Sequence, residues 1–441
     1  MERCRISWNW SLTLSDQWLL DQRLGVELEK SSTRRAAALR QAIALMENVP
    51  FIDGHNDLPW VIRNDPIAKG DVVAYDLARV HQDGDTDIPR LREGHVGAQV
   101  WAAFIQSDTD HPARATLEQI DVILRMHEAY PDVFLPVKKA SDIRRAKRLG
   151  RIASIIAVEG GVGLENSLSP LRVWHAAGAR LMTLCHNGTL DWVDSATDEP
   201  RHGGLAAFGR AVVRELNRLG MIVDCAHVSP DVMHQVLDIS SAPIVFSHSN
   251  SRAICDHPRN VPDDVLARLR KDDGLVMATF IPEFVSDEVR QWMIPVREAV
   301  KNDFGQTRAA IIAERERETG KRPRATLGDV ADMIERLVER VGLARVGIGS
   351  DFFGVPTTPV GLEDVSKFPH LLGELFCRGW SEQAVAGIAG LNFLRVFRAV
   401  EKEGARLRAK ENPSVGTLAG LTSVSPSSDA RRSLTTFFIV G

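Results

Sequence analysis

Histidines and acidic residues follow six of the eight short apolar runs of the chain. A His-x-Asp pair comes after the first run, and single residues come after five others: His55, Asp57, Glu159, His186, His227, His248 and Asp351. In an extended segment the His-x-Asp spacing points both side chains to the same side. Imidazole and carboxylate groups together suit zinc, manganese or iron. The pair, two histidines and a glutamate offer enough ligands for two ions.

A carboxylate between two cations would be central to such a site. It has two oxygens and can bind one ion through each, while a shared water forms a second bridge. Two positive charges lower the pKa of that water far enough to give hydroxide near neutral pH. Taken alone, each residue has an ordinary explanation, because short motifs are permissive. The hypothesis therefore depends on the joint pattern, since unrelated core histidines would not all fall at the ends of apolar runs.

The apolar runs themselves predict the elements that position these residues. They are rich in Val, Ile and Leu, as is typical of strands buried on both faces. They cover residues 49–52, 96–105, 152–158, 180–185, 221–226, 243–247, 274–280 and 345–349. Helical patterns alternate with them, as at 204–219, and Ser229 before Pro230 is typical of a helix start.

Eight strands alternating with helices predict an α/β fold, a (β/α)8 TIM barrel, whose active site lies at the C-terminal ends of the strands. A doubly wound open sheet is the alternative, but no Gly-rich phosphate loop follows the first run. The charge-rich stretch 282–339 predicts a helical insert before strand 8. We predict three segments: an unassigned N-terminal extension (1–32), a catalytic barrel (33–411) and a loosely ordered Ser/Thr-rich tail (412–441).

Composition narrows the range of partners. The formal net charge is −4 and no basic stripe is present, which argues against nucleic acid. No apolar run approaches the ~20 residues of a membrane helix, and the first 20 residues do not read as a signal peptide. The five cysteines fit neither a disulfide framework nor a CxxC metal site. These features predict a protein of a reducing compartment, the cytoplasm, without a membrane partner.

Several separated motifs together resemble a known family. They are Phe-Ile-Asp-Gly-His-Asn-Asp-Leu-Pro-Trp at 51–60, Val-Glu-Gly at 158–160, Asp-Cys-Ala-His-Val-Ser at 224–229, Phe-Ser-His-Ser at 246–249, Arg-Asn-Val-Pro-Asp at 259–263 and Gly-Ser-Asp-Phe at 349–352. In this order they resemble the membrane (renal) dipeptidases, zinc peptidases of the amidohydrolase superfamily. The resemblance runs from about residue 34 to 405, and the long insert resembles that of bacterial members.

The resemblance implies a metal-dependent dipeptidase. Such an enzyme hydrolyses dipeptides with a free C-terminal carboxylate through a hydroxide that bridges two Zn²⁺ ions, and L-D dipeptides are among the substrates that the family allows. By resemblance, His55 and Asp57 would bind the first zinc, His227 and His248 the second, and Glu159 would bridge them.

The resemblance also implies roles for three further residues. Asp351 would shuttle the proton of the hydroxide, and His186 would hydrogen-bond the scissile carbonyl and stabilise the oxyanion. Arg259 would pair with the terminal carboxylate of the substrate, a task that suits a guanidinium. The partner implied is a small dipeptide, and a homodimer is the assembly considered. The chain departs from the family at Phe353, where an aspartate is usual. That departure concerns positioning and rate but none of the implied ligands.

Two other functions stay open at this point. Another binuclear amidohydrolase, acting on N-acyl-amino acids, lactones or phosphotriesters, would use the same ligands. Many of those enzymes bridge their metals with a carboxylated lysine, and here Glu159 occupies that place. A non-catalytic binding protein on the same barrel is the second alternative, and Phe353 is its only support.

Overall fold

The computed structural model describes residues 33–300 and 306–422. The predicted N-terminal extension, 1–32, and the part of the predicted C-terminal tail beyond residue 422 lie outside the described residues. The described residues contain nine strands: β1 (Phe51–Asp53), β2 (Val96–Phe104), β3 (Phe134–Pro136), β4 (Ile152–Glu159), β5 (Ala179–Thr183), β6 (Ile222–Asp224), β7 (Val245–Phe246), β8 (Leu275–Ala278) and β9 (Val346–Ile348).

Eight of these strands close into a parallel barrel. The hydrogen-bonded order is β1, β2, β4, β5, β6, β7, β8, β9, and β9 pairs again with β1. Each of the eight overlaps one predicted apolar run, so the TIM barrel prediction is confirmed and the open sheet is wrong. An open sheet would need two free edge strands, and the β1–β9 pairing removes them. The short β3, which the sequence did not predict, pairs with the first residues of β4.

Helices follow the strands and cover the outside of the barrel. They are α1 (33–48), α2 (Leu58–Asn64), α3 (Val72–Tyr75), α4 (Ile88–Glu93), α5 (Pro112–Ala129), α6 (Ala140–Arg148), α7 (Ser169–Ala177), α8 (Ala207–Leu219), α9 (Pro230–Ile239), α10 (Asp263–Leu269), α11 (Pro282–Val285), α12 (Asp287–Val300), α13 (Gln306–Thr319), α14 (Leu327–Val341), α15 (Phe368–Cys377), α16 (Glu382–Ala386), α17 (Asn392–Arg408) and α18 (Leu418–Thr422). As predicted, α9 begins after Ser229, whose hydroxyl accepts a hydrogen bond from Val232 N.

The predicted insert before the eighth barrel strand is helical in its described part. It comprises α11, α12, α13 and α14, which lie between β8 and β9. The first and last of the longer helices each bury an apolar side, α12 through Val289 and Met293, and α14 through Ile334 and Leu337. Because α11 follows the C-terminal end of β8 directly, the insert begins at the rim where the predicted site residues lie.

Alternation along the strands divides the buried side chains into two groups. Ala153, Ile155 and Ala157 of β4 belong to one hydrophobic cluster, while Ile156 and Val158, at the alternate positions, belong to the other. Glu159 continues the first row by one step, at the last position of the strand. The apolar row therefore ends in a carboxylate at the C-terminal rim of the barrel.

The C-terminal segment 412–422 packs against the loop before α7. Thr417 forms a β-bridge with Ser167, and Leu418 N donates to Asn166 O at 3.0 Å.

The boundaries of the three segments predicted from the sequence stay predictions. Within the ranges that the structure describes, no helix combines the length and apolar character that a membrane crossing needs.

Candidate metal centre

The structure brings the predicted site residues together at the C-terminal ends of the barrel strands. Glu159 is the last residue of β4, and the others follow β1, β5, β6, β7 and β9: His55, Asp57, His186, His227, His248 and Asp351. Arg259 lies in the loop after β7, where its guanidinium Nη2 is 3.4 Å from the carbonyl oxygen of His248. One rim of the barrel therefore carries all eight residues.

Glu159 stands between the histidines with one carboxylate oxygen toward each side. Its Oε2 lies 3.3 Å from His55 Nε2. Its Oε1 lies 3.1 Å from His227 Nε2 and 3.6 Å from His248 Nε2. The side chain of Glu159 is buried, with 4% of its surface exposed. The imidazole nearest to each oxygen is therefore a different one, His55 at Oε2 and His227 at Oε1, as expected for a bridging carboxylate.

Three sets of three side chains could each hold a cation in the part of the chain that the structure describes. Within each set, one nitrogen or oxygen per residue lies within 4.8 Å of the others. The sets are His55–Glu159–His248, Glu159–His186–His227 and His55–Asp57–Asp351. Glu159 and His55 each belong to two sets, so the sets overlap as expected for two neighbouring ions. Nitrogen and oxygen donors without sulfur suit zinc and also manganese or iron.

Hydrogen bonds fix which ring nitrogen of two histidines is free. His227 Nδ1 lies 3.1 Å from the amide oxygen of Asn187, which can only accept. His248 Nδ1 lies 2.8 Å from Ser247 Oγ, whose own proton goes to Asp224 Oδ2 at 2.6 Å. Both rings thus carry their proton on Nδ1, and burial holds the pKa of both well below its ordinary value.

The free lone pairs of these two rings point at each other. His227 Nε2 and His248 Nε2 are 2.9 Å apart, and neither carries a proton to share. Two lone pairs at this separation repel, and a cation bound between the rings would turn that repulsion into attraction. The neutral Nε2 nitrogen is also the form of histidine that binds metals.

The opposite side of Glu159 also favours a positive charge. His55 Nε2 and Asp57 Oδ1 are buried without a hydrogen bond, although they lie near other charged atoms. Burial lowers the pKa of His55, but the carboxylates of Glu159 and Asp57 outweigh it and raise that pKa well above its usual value. Unsatisfied buried polar atoms cost free energy, and a bound cation would satisfy both. The residues present therefore fit a metal ion.

Two site residues adopt left-handed backbone conformations that side chains other than glycine rarely take. The φ angles are 70° at His227 and 67° at Asp351. Backbone hydrogen bonds hold both, from Ala196 N to His227 O at 2.7 Å and from Asp351 N to His55 O at 3.2 Å. A Cβ on Gly354 would come within 2.2 Å of Asp351 Oδ1, so a side chain there would displace the carboxylate. Such retained strain is typical of functional sites.

Asp351 and His186 lie beside the central carboxylate and are both partly accessible. Asp351 Oδ1 is 3.8 Å from His55 Nε2, and burial raises the pKa of Asp351 to about 7. The ring of His186 lies 4.3 Å from the ring of His227 and 4.5 Å from that of Phe104. Burial lowers the pKa of His186 to about 4, which leaves a neutral imidazole facing the site.

Arg259 is a buried cation without an anionic partner among the residues described. Only 3% of its surface is exposed, and no carboxylate lies within 4.0 Å of it. Its guanidinium makes two long contacts, to His248 O at 3.4 Å and to Ser249 Oγ at 3.5 Å, and lies 5.5 Å from the ring centre of Phe284. A buried guanidinium with such weak partners can bind an anionic group of a ligand.

Four polar residues of the site were not predicted from the sequence. Asn187 and Ser247 orient the histidines, and Asp53 and Asp224 bind to neighbouring strands beneath the rim. The available signal was their position: Asp53 directly follows an apolar run, Asn187 and Ser247 stand beside predicted site residues, and Asp224 is an acid inside an apolar run.

Comparison with known sequences points to one family. The model of the family "Membrane dipeptidase (Peptidase family M19)" matches residues 39–411. Dipeptidase 3 of Mus musculus is 38% identical over 369 residues, which cover 82% of this chain and 66% of that protein. An uncharacterized dipeptidase of Schizosaccharomyces pombe is 37% identical over 381 residues, which cover 83% of this chain and 84% of that protein. The chain thus spans slightly less than two thirds of the mouse relative.

Comparison with solved structures shows the same fold. The probable dipeptidase PvdM from Pseudomonas aeruginosa aligns with a TM-score of 0.73 at 24% identity, over 83% of this chain and 99% of that one. A metallo peptidase from Rhodobacter sphaeroides, liganded with a phosphinate mimic of the dipeptide L-Ala-D-Ala, aligns with a TM-score of 0.65 at 22% identity. That alignment covers 80% of this chain and 99% of the other.

Proposed function

The chain belongs to the membrane dipeptidase family, and on that premise we propose that it uses two zinc ions to hydrolyse dipeptides with a free C-terminal carboxylate. Family membership makes it a hydrolase of the metallo-dipeptidase class. The observation that carries the proposal is the two-sided placement of Glu159 between His55 and the pair His227 and His248. The two sequence relatives named above come from Mus musculus and Schizosaccharomyces pombe, so a bacterial-type member stays a prediction.

Two groups of side chains would hold the ions. His55 and Asp57 would bind one ion together with Glu159 Oε2, and His227 and His248 would bind the other together with Glu159 Oε1. When bound, the ions would polarise the scissile carbonyl and make hydroxide available near neutral pH. Zinc is the ion proposed, because imidazole and carboxylate ligands with an open position are typical of catalytic zinc sites.

The remaining residues would move protons and hold the substrate. The carboxylate of Asp351 would take a proton from the attacking water and return it to the leaving nitrogen, a task that its partial exposure and position allow. His186 would donate a hydrogen bond to the scissile carbonyl oxygen as negative charge develops there. Arg259 would pair with the substrate carboxylate and so limit substrates to short peptides with a free C-terminus.

The assignment of Arg259 leads to a prediction about substrate form. Arg259→Ala should lower kcat/KM for a dipeptide by about 10- to 100-fold, because hydrogen bonds to a charged group contribute roughly 1.5–3 kcal/mol. The C-terminal amide of the same dipeptide should lose little, since it has no carboxylate to pair. Arg252→Ala is a matched control, because Arg252 lies in the same loop and pairs with the exposed Asp256. Equal losses on acid and amide would show that Arg259 has another role.

L-D dipeptides are proposed to be among the substrates. The metallo peptidase from Rhodobacter sphaeroides was crystallised with a mimic of L-Ala-D-Ala, which supports including such pairs in any screen.

The sequence departure at Phe353 does not remove any of the proposed metal ligands. Phe353 N donates to Asp85 Oδ2 at 3.1 Å, and its ring lies toward Gly84.

The proposed function is tested by metal content and turnover together. We expect about two divalent ions per chain, loss of dipeptide hydrolysis on chelation, and recovery with added Zn²⁺. Elemental analysis and a dipeptide library that includes L-D pairs would measure both. At most a trace of metal in active protein would contradict the binuclear site. Turnover of N-acyl-amino acids or lactones without dipeptides would indicate another amidohydrolase, and bound metal without any turnover would indicate a binding protein.

Location and assembly are further proposals. We propose a cytoplasmic protein, supported by the cysteines: the four in the described part, Cys185, Cys225, Cys255 and Cys377, are free. A homodimer stays a prediction that sedimentation of the purified protein would decide.

A further inference from the structure

Beneath the metal centre, both carboxylate oxygens of Asp224 accept hydrogen bonds from Ser247, the residue that follows the neighbouring strand β7. Ser247 N donates to Asp224 Oδ1 at 2.9 Å, and Ser247 Oγ donates to Oδ2 at 2.6 Å. Both residues are fully buried. Ser247 stands immediately before His248, so this contact fixes the backbone and the side chain of the residue that precedes a proposed metal ligand.

The same contact occurs between another pair of neighbouring barrel strands, β1 and β9. Ser350 N donates to Asp53 Oδ1 at 2.7 Å, and Ser350 Oγ donates to Oδ2 at 2.7 Å. Ser350 stands immediately before Asp351. Both aspartates are buried, so neither can contact solvent or a partner at the protein surface.

Strand register explains why the two contacts match. Asp224 of β6 is paired with Val245 of β7, two residues before Ser247. Asp53 of β1 is paired with Ile348 of β9, again two residues before its serine. Each carboxylate thus contacts the residue two positions beyond its paired residue, just after the neighbouring strand ends. Two bonds from one carboxylate fix both position and rotation, which a single bond cannot do.

We infer that Asp224 and Asp53 are positioning residues, each of which holds a serine so that the next residue, His248 or Asp351, points into the site. The inference rests on the proposed function only for the role of Asp351. For His248 it concerns the binding of metal, which can be measured without a substrate.

The two contacts differ in what the serine touches next. Ser247 Oγ also accepts from His248 Nδ1 at 2.8 Å, so Asp224 acts through it on the imidazole itself. Ser350 Oγ reaches the carbonyl oxygen of His55 at 3.3 Å and acts on Asp351 only through the backbone. Removing the first carboxylate should therefore weaken metal binding, whereas removing the second should misplace the proposed proton carrier.

The test compares Asp224→Asn with Asp53→Asn, because asparagine keeps the shape but can accept only one of the two bonds. For Asp224→Asn we expect the affinity for one Zn²⁺ to fall by about 10- to 100-fold, as for other partners of ligand histidines. The visible spectrum of the Co²⁺-substituted protein should change as well. For Asp53→Asn we expect Zn²⁺ affinity and the Co²⁺ spectrum of the wild type, with kcat about 10- to 100-fold lower and KM nearly unchanged. Chelator competition, absorption spectra and steady-state kinetics measure these quantities.

Each carboxylate also accepts a hydrogen bond from a side chain other than the serine, and that side chain supplies a matched control. Thr183 Oγ1 donates to Asp224 Oδ2 at 2.6 Å, and Gln99 Nε2 donates to Asp53 Oδ2 at 2.8 Å. Thr183→Val and Gln99→Leu remove one bond to the same carboxylate but leave both bonds to the serine. We expect neither control to show the change in affinity or in kcat of its aspartate variant.

Three outcomes would overturn the inference. They are unchanged metal affinity in Asp224→Asn, loss of metal in Asp53→Asn, and controls that match the aspartate variants. If either aspartate variant fails to fold, Ser247→Ala and Ser350→Ala remove the hydroxyl but keep the carboxylate, and the same split is expected. A wild-type protein that binds two ions without cleaving dipeptides would instead contradict the proposed function, and the metal measurements on Asp224→Asn would still decide its own role.

Discussion

Asp351→Asn should keep both metal ions and the fold while kcat falls by about 100-fold or more, the usual scale for a general acid–base group. Asparagine has nearly the shape of aspartate but cannot carry the proton from water to the leaving nitrogen. It also tolerates the left-handed conformation at this position, where φ is 67°, better than most residues. The backbone should therefore stay as it is, and the change should be limited to chemistry.

Metal content and kcat of the one variant separate three roles for Asp351. Full metal with a large loss of kcat indicates a proton carrier. Loss of metal indicates a ligand, which its place in one of the three candidate sets makes a real alternative. Near-wild-type turnover with full metal removes the catalytic role. Asp121→Asn is the control, because Asp121 lies on the exposed surface of α5, where it pairs with Arg125.

The barrel and its rim could be predicted because both depend on local sequence. Strands buried on both faces need continuous apolar residues, so the eight barrel strands appear as eight apolar runs. A polar residue that ends such a run, as Glu159 ends β4, has no ordinary place in a core. Because parallel barrel strands all end at one rim, residues far apart in sequence had to meet there.

The features that were missed depend on contacts between strands. β3 has only three residues and ends at Pro136, so it carries no periodic signal. Asp53 and Asp224 also end buried strands, but the sequence does not show their partners, because only the register of the neighbouring strands brings a serine within reach. Likewise, Asn187 gains its role from folding of the loop after β5 onto His227. Register and loop closure are tertiary properties that a single sequence does not encode in its local pattern.

The change with the largest expected effect on metal is Glu159→Gln. Glutamine fills the same space, but it has only one oxygen. The NH2 group that replaces the other oxygen does not bind metal ions. Bound metal should fall from about two ions to at most one, and kcat should fall at least as far as in Asp351→Asn, by about 100-fold or more. Elemental analysis after dialysis and kinetics with a dipeptide would measure both.

The comparison with Asp351→Asn makes this result specific. Both variants should lose turnover, but only Glu159→Gln should lose metal, because only Glu159 faces His55 with one oxygen and His227 with the other. Glu165→Gln is the matched control, since Glu165 lies six residues further on and is exposed. A Glu159→Gln protein that still holds two ions after dialysis would show that this carboxylate does not join them. The two groups of ligands would then have to be independent sites, and the binuclear mechanism would lose its central contact.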